Sequence, residues 1–364
     1  MNLLHIVYAK VWGGGEQYVY TLCKEEKARG HRNIVVLDKK QKKMMAKFQE
    51  VATVCPISLH GVNRFFTVPA FLKLLDEFKV DILNCHSGTM VPICALIKAF
   101  KPAVKWVIYR HNVTPNGKDF YHRAIQQKAD AFVCVSQLVY DLQKQTACPK
   151  FADKFHLIYN GIDTARFHKR PRSSAPQNPV KIGYAGRMVE NKGILVLLQA
   201  VKMLNQEQHL PCHLYLAASS QTAFTQKCQE FVEKNGLSEF YHLLNDVKDM
   251  GQFYDEIDFF VLPTLARESF GLVLCEAMYS GVPTISTNNG AQGEIIENGI
   301  SGILVSPNDA AAIAQNIKNL VADPAKYQQI SLAGNKRVEE KFTLTVMTDK
   351  LNNLFEQLLK EDKE

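Results

Sequence analysis

No two cysteines of the 364-residue chain stand in a C-x-x-C arrangement, and the nine present, at 23, 55, 85, 94, 134, 148, 212, 228 and 275, make an odd number. That excludes a zinc ribbon or a secreted disulfide framework and points to a reducing compartment. No apolar run approaches the roughly 20 residues that span a bilayer. The opening MNLLHIVYAK has neither a basic n-region nor a small-residue cleavage site. It reads as a strand, giving a soluble, cytoplasmic protein. No G-x-G-x-x-G follows that first strand, where the loop is W-G-G-G-E, so a nicotinamide dehydrogenase is disfavoured. Low-complexity tracts and short-period repeats are absent too.

What is present is ordinary in amount and uneven in placement. Hydrophobic residues make up 46% and charged residues 22% of the chain, enough for sizeable cores. At about 150 residues per domain the length predicts two domains. The net charge of +7 is divided: residues 1–170 hold 26 Lys and Arg against 13 Asp and Glu, and residues 171–364 hold 17 against 23. A basic half suggests an anionic partner, with nucleic acid, a membrane surface or phosphorylated substrates all open.

The segment KRPRSSAPQNP (169–179) reads as a linker. On either side, short aliphatic strands alternate with helices of about a dozen residues. In the first half the strands are 3–9, 33–38, 80–86, 104–111, 129–136 and 154–160. In the second they are 180–186, 213–219, 239–245, 257–263 and 282–288, with helices at 191–205 and from Gly271 to Gly281. Such alternation builds βαβ units, hence two doubly wound α/β domains with a cleft between them. Ligands in these sheets sit outside the carboxyl ends of strands.

Two strand ends carry chemistry. In PTLARESFGLVLCEAMYSGVP (263–283), Glu268 lies in a turn and Glu276 in the following helix, whose first amides, from Ser269 through Phe270 and Gly271 to Leu272, suit an anion. Two Glu at that spacing are explained equally well by a dipole-complementing Glu and a solvated one. GRMVENKG (186–193) then places Arg187 and Lys192 just before a helix, where positive charge is unfavourable to the dipole and needs a reason. Phosphate oxygens supply one.

E-S-F-G-L-V-L-C-E (268–276) resembles the E-x7-E signature of the retaining GT4-type glycosyltransferases of GT-B fold. GGGEQ (13–17), VCVSQLVYDL (133–142), IYNGIDTARF (158–167), AGRMVENKG (185–193) and GAQGEIIENGISGILV (290–305) resemble further family segments in the same order. The resemblance implies two Rossmann-like domains facing across a cleft: an acceptor domain, 1–170, completed by a C-terminal helix at 344–364, and a donor domain, 171–343. It implies that Arg187 and Lys192 bind the donor diphosphate and stabilise the leaving nucleoside diphosphate. Glu276 would meet the ribose, Glu268 the donor sugar, and backbone groups near Val247 the base. Gly14 and Gly15 would let the backbone approach a phosphate or acceptor closely. His111 would contact the transferred sugar, and His86 and Arg110 lie on the acceptor side. Without the resemblance, His111 reads as a cleft-lining or satisfied core histidine. Asn112 stands where the family usually has Asp, and Gln292, in G-A-Q-G, would alter the sugar pocket, with Glu294 a further candidate there.

A sugar–phosphate bond breaks through an oxocarbenium-like transition state, so the departing diphosphate must be held. No D-x-D pair occurs anywhere in the chain, and metal-independent transfer with no cofactor is expected. Retention of configuration is implied by the family alone. The expected partners are a nucleotide-diphosphate sugar of hexosyl or N-acetylhexosaminyl type and a glycan or lipid-linked acceptor. The setting is bacterial surface polysaccharide: lipopolysaccharide, capsule or exopolysaccharide. DKKQKKMMAKF (38–48) sets Lys39, Lys40, Lys42, Lys43 and Lys47 beside Met44, Met45 and Phe48, a pattern that suits an anionic membrane surface and equally a solvated helix face. Rival functions are a nucleotide-sugar hydrolase or epimerase on the same fold, or a non-enzymatic glycan or nucleic-acid binder. Nucleic acid is disfavoured because no helix-turn-helix, zinc pattern or aromatic platform accompanies the basic residues.

Overall fold

The computed structural model describes residues 1–9, 12–174, 176–218 and 223–360. Ser219 of the expected 213–219 strand and residues 361–364 of the expected C-terminal helix lie outside the described residues. The chain forms two compact units, Met1–Gly161 with the chain from Leu344 onward, and Ile162–Thr343.

The first unit is built on β1 (Asn2–Ile6), β2 (Arg32–Asp38), β3 (Thr53–Ile57), β4 (Ile82–Cys85), β5 (Lys105–Arg110), β6 (Ala131–Cys134) and β7 (Phe155–Leu157). They pair in the order β3-β2-β1-β4-β5-β6-β7, every pair parallel. The aliphatic runs are buried on both faces, as a parallel sheet requires. One face packs on Val19 and Leu22 of the Gly14–Ala28 helix and on Leu351 and Phe355 of the Leu344–Lys360 helix. Each such side chain contributes about 1.5–3 kcal/mol by burial. Strand β3 was not among the expected strands. It lies at the sheet edge, contains Pro56 and is mostly half-exposed, so its sequence lacks an apolar run.

The second unit carries β8 (Val180–Ala185), β9 (Cys212–Ala217), β10 (Tyr241–Leu244), β11 (Phe259–Leu262), β12 (Thr284–Thr287) and β13 (Ile303–Val305). Their order is β10-β9-β8-β11-β12-β13, again all parallel. Strand β13, only three residues long, also escapes a pattern-based reading.

The boundary lies ahead of the expected 170/171, because the preceding segment is tied into the second unit. Ile162 donates its amide to Phe342 at 2.9 Å, Lys169 pairs with Glu339 at 2.8 Å, and the Arg172 guanidinium donates to the Tyr254 carbonyl at 2.7 Å. Gly281, at φ 73°, lets this strap pass: a Cβ there would stand 2.5 Å from the Arg170 carbonyl oxygen.

Each sheet reverses its winding once, between β1 and β4 in the first unit and between β8 and β11 in the second. Crevices for ligands open at such points, beyond the carboxyl ends of the strands.

Candidate functional site

At the second unit's reversal point, β8 runs into Gly186 and Arg187. The chain then makes a short 3-10 turn, Glu190–Lys192, before the Ile194–Lys202 helix. The helix expected over 191–205 therefore starts later, at Ile194, and continues past Lys202 as a π-helical turn, Met203–Glu207, and Lys192 belongs to the turn before it. Gly193 (φ 70°) makes the turn possible, since a Cβ there would sit 1.9 Å from the carbonyl oxygen of Pro263, just past β11. The loops are stitched together: Leu265 and Ala266 donate their amides to the Asn191 carbonyl at 2.9 and 3.1 Å. From the other side, the Thr287 hydroxyl donates to the Thr264 carbonyl at 2.7 Å, and Asn289 donates to that of Leu265 at 2.9 Å. The Ala291 amide donates to the Glu268 carbonyl at 3.0 Å. Gly290 lies so close that a Cβ would come within 2.5 Å of the Glu268 nitrogen.

This turn holds Glu268 against Lys192, whose Nζ donates to Glu268 Oε1, with both side chains 17% exposed. Arg187 is exposed and has no ion-pair partner among the described residues, its carbonyl accepting from the buried Tyr184 hydroxyl at 3.1 Å. The Leu272–Tyr279 helix starts at Gly271 (φ 117°) with no side-chain cap, leaving its first amides available to an anion. Ser269 and Leu272 flank this start half-buried. The Phe270 ring turns inward onto Phe342, centroids 5.7 Å apart, so only its backbone faces the turn. Glu276 accepts from the Tyr254 hydroxyl at 2.9 Å. Burial raises the Glu276 carboxyl above its ordinary pKa, with the Tyr254 hydroxyl and Arg166 pulling it back. Val247 lies in the loop beyond β10, which ends at Leu244. Gln292 is fully buried and donates to Asn289 Oδ1 at 3.0 Å. It braces the loop from beneath. Glu294 offers its carbonyl to Arg337 at 2.9 Å.

The first unit assembles rings at the corresponding place. His86 follows β4 and His111 follows β5, with Nδ1 of the former 3.4 Å from Nε2 of the latter. Tyr109 stacks near His86, centroids 4.2 Å apart, and Tyr18 meets His111 edge-on at 5.0 Å. Burial, reinforced by neighbouring His5 and His111, lowers the His86 pKa well below the usual histidine value. Burial lowers that of His111 to about 4. Arg110 is half-buried, and desolvation lowers its pKa. Gly14 and Gly15 form the exposed start of the Gly14–Ala28 helix, where a Cβ at either position would meet nothing within 4 Å.

Two members of this group were not anticipated: His5 on β1 and Glu26 in the helix. His5 Nδ1 lies 3.1 Å from His86 Nε2, and His5 Nε2 lies 3.2 Å from Glu26 Oε2, both side chains fully buried. Cys23 joins them, the three donor atoms within 4.8 Å of one another. Burial pushes the Cys23 thiol up. In the second unit, Tyr254 and Asn191 also went unanticipated; Asn191 acts through its backbone, which no side-chain pattern reveals.

The lysine-rich stretch forms a helix, Lys42–Phe48, that buries Met44 and Phe48 in the core, and Lys47 lies 3.8 Å over the Trp12 ring. Lys39, Lys40, Lys42 and Lys43 remain exposed, beside the half-buried Met45 and the exposed Ala46. No helix among the described residues is long and apolar enough to cross a membrane. A groove of about 530 Å³ lined by Tyr140, Phe155 and Leu354 gathers none of the candidate residues.

Residues 12–166 match the model of glycosyltransferase family 4, and residues 179–323 that of glycosyl transferases group 1. The chain belongs to the GT4-type glycosyltransferases. Relatives of this GT4-type chain include the capsular polysaccharide biosynthesis glycosyltransferase CapM of Staphylococcus aureus, 31% identical over 58% of this chain and 53% of that protein. The amylovoran biosynthesis glycosyltransferase AmsK of Erwinia amylovora is 26% identical over 69% of this chain and 62% of its own length. The chain thus spans little more than half the length of these curated relatives. A glycosyltransferase of Rickettsia africae shares the fold with a TM-score of 0.87 at 23% identity, covering 99% of this chain and 98% of that one. Anabaena HepE, solved with UDP and glucose, gives 0.79 at 18% identity over 97% and 99%. The fold of the GT4-type chain is GT-B.

Proposed function

We propose that the protein is a retaining, metal-independent glycosyltransferase. It moves a sugar from a nucleotide-diphosphate donor to a hydroxyl of a glycan or lipid-linked acceptor in bacterial surface polysaccharide synthesis. The observation that carries this is the paired Lys192 and Glu268 beside the uncapped Leu272–Tyr279 helix start, with Arg187 exposed just past the end of β8. Cations and free amides together suit a diphosphate whose charge grows as the sugar departs. Glu268 supplies an acceptor for sugar hydroxyls and Glu276 one for the ribose. The absence of any D-x-D pair leaves the leaving group to Arg187, Lys192 and the helix. The printed names of the capsular and amylovoran relatives support the polysaccharide setting, and the UDP and glucose of HepE support a nucleotide sugar. On the acceptor side, His86, His111 and Arg110 face the sheet end. The exposed lysines at 39, 40, 42 and 43 would bring the protein to an anionic membrane surface through charge alone.

Radiolabelled nucleotide sugars, offered with and without lipid extract and with EDTA, test the reading. Label is expected in a glycan or lipid fraction at a rate EDTA does not change. Label released only into water makes the protein a hydrolase, and loss of transfer in EDTA removes metal independence.

A further inference from the structure

Among the described residues, Lys192 has one ion-pair partner, Glu268, and Glu268 has none besides Lys192. Both side chains are largely out of water, so their attraction is screened less than that of a surface pair. The backbones set the meeting. Asn191, one residue before Lys192, accepts the amides of Leu265 and Ala266, and the Glu268 carbonyl accepts that of Ala291. Neither loop can carry its side chain away from the other without breaking these bonds. Arg187 is close by. Burial raises the pKa of the Tyr184 hydroxyl, Glu268 raises it further and Arg187 opposes, so both charges lie within electrostatic reach of one phenol. That hydroxyl donates to the Arg187 carbonyl at 3.1 Å.

An anion drawn to Arg187 and to the Leu272–Tyr279 helix start therefore meets Glu268 as a rival for Lys192. To gain the ammonium it must loosen the pair. A largely buried carboxylate is then left beside a second negative group, and stranding a charge in this way costs more than the intact pair contributes. Sugar hydroxyls are neutral donors that relieve such a carboxylate. A nucleoside diphosphate without its sugar has no hydroxyl beyond the second phosphate to offer.

We propose that Glu268 determines specificity through Lys192: it withholds the lysine from a bare nucleoside diphosphate and yields it to a diphosphate that carries a sugar. The intact donor is thereby held tightly and the spent nucleotide weakly. This inference rests on the donor-site reading given above.

Calorimetric titration of UDP, GDP and ADP in turn tests it, in the unaltered chain, Glu268→Gln, Lys192→Met and the double variant, read as a double-mutant cycle. Both substitutions remove charge and keep the length of the side chain. The diphosphate that binds should bind Glu268→Gln about 10-fold more tightly than the unaltered protein, and the gain should recur in Glu268→Ala. The same Glu268→Gln change made in Lys192→Met should gain less than about threefold. Equal gains in both backgrounds reduce the effect to repulsion between carboxylate and phosphate and overturn the role of Lys192. No gain in either Glu268 variant, with Tm as in the unaltered protein, overturns the proposal outright. For the nucleotide sugar whose label is transferred, Glu268→Gln should bring no gain; a gain matching that of the bare diphosphate overturns the discrimination. If none of the three diphosphates binds the unaltered chain, the donor-site reading falls and this inference with it. Binding and transfer without the stated cycle overturn this inference alone.

Discussion

The two sheets end in different chemistry. At the end of the first, rings gather on rings, burial lowers the pKa of both histidines that follow the strands, and Arg110 stands half-buried beside them. At the end of the second, charge stands at the surface: Arg187 is exposed, and Lys192 and Glu268 hold each other inside a frame of backbone hydrogen bonds. A neutral, hydrogen-bonding wall suits sugar hydroxyls, and a cationic wall with free amides suits a diphosphate. On the proposed function, the same α/β scaffold would separate recognition of an uncharged group from stabilisation of a leaving anion.

The comparison breaks most sharply if the charged wall is removed. Lys192→Ala and Glu268→Ala should each lower turnover about 100-fold or more, with circular dichroism unchanged; rates near normal would take both residues out of the site. Next in size is the frame. Gly193→Ala places a Cβ against the Pro263 oxygen in a left-handed backbone and should cost about 1–3 kcal/mol, lowering Tm by several degrees. An unchanged Tm would mean the two loops are not locked together.

The neutral wall is read through pH. Because the pKa values of His86 and His111 are lowered in the folded chain, to about 4 for His111, the unfolded chain takes up protons first as pH falls. Stability on their account is full above the ordinary histidine pKa of about 6.5 and declines between there and about 4. Denaturant unfolding at pH 7 and pH 5 should show His111→Asn losing less stability than the unaltered protein over that interval. Equal losses would place no lowered pKa at His111. The smallest effect is at the surface: changing Lys39, Lys40, Lys42 and Lys43 to Ser should weaken binding to anionic vesicles while changing stability by no more than about 0.5 kcal/mol. Unchanged vesicle binding makes that helix face merely solvated.

Much of the frame was legible in the sequence because aliphatic runs such as NIVVL and IDFFVL have few other uses than buried parallel strands. The strands end earlier than the runs, as at Ile6 and Leu262, because apolar residues continue into buried loops beyond the last ladder bond. At the site, residue types were readable and pairings were not. Lys192 and Glu268 lie 76 positions apart, and only the sheet order joins β8 to β11. Glu26 was the hardest to foresee. In K-E-E-K-A it looks like one more solvated charge, and its burial follows from packing that no local pattern records. The lysine helix misled in the opposite direction: Met44 and Phe48 looked available to a membrane and instead fill the core.

The most direct test of the central claim is calorimetric titration of UDP, GDP and ADP in turn into the unaltered protein and into Arg187→Ala/Lys192→Ala. Saturable one-to-one binding of one of these diphosphates, weakened about 100-fold in the double variant, is the predicted result. Equal affinity of the two proteins for that diphosphate would contradict the assignment of the second unit's strand ends to a leaving nucleotide.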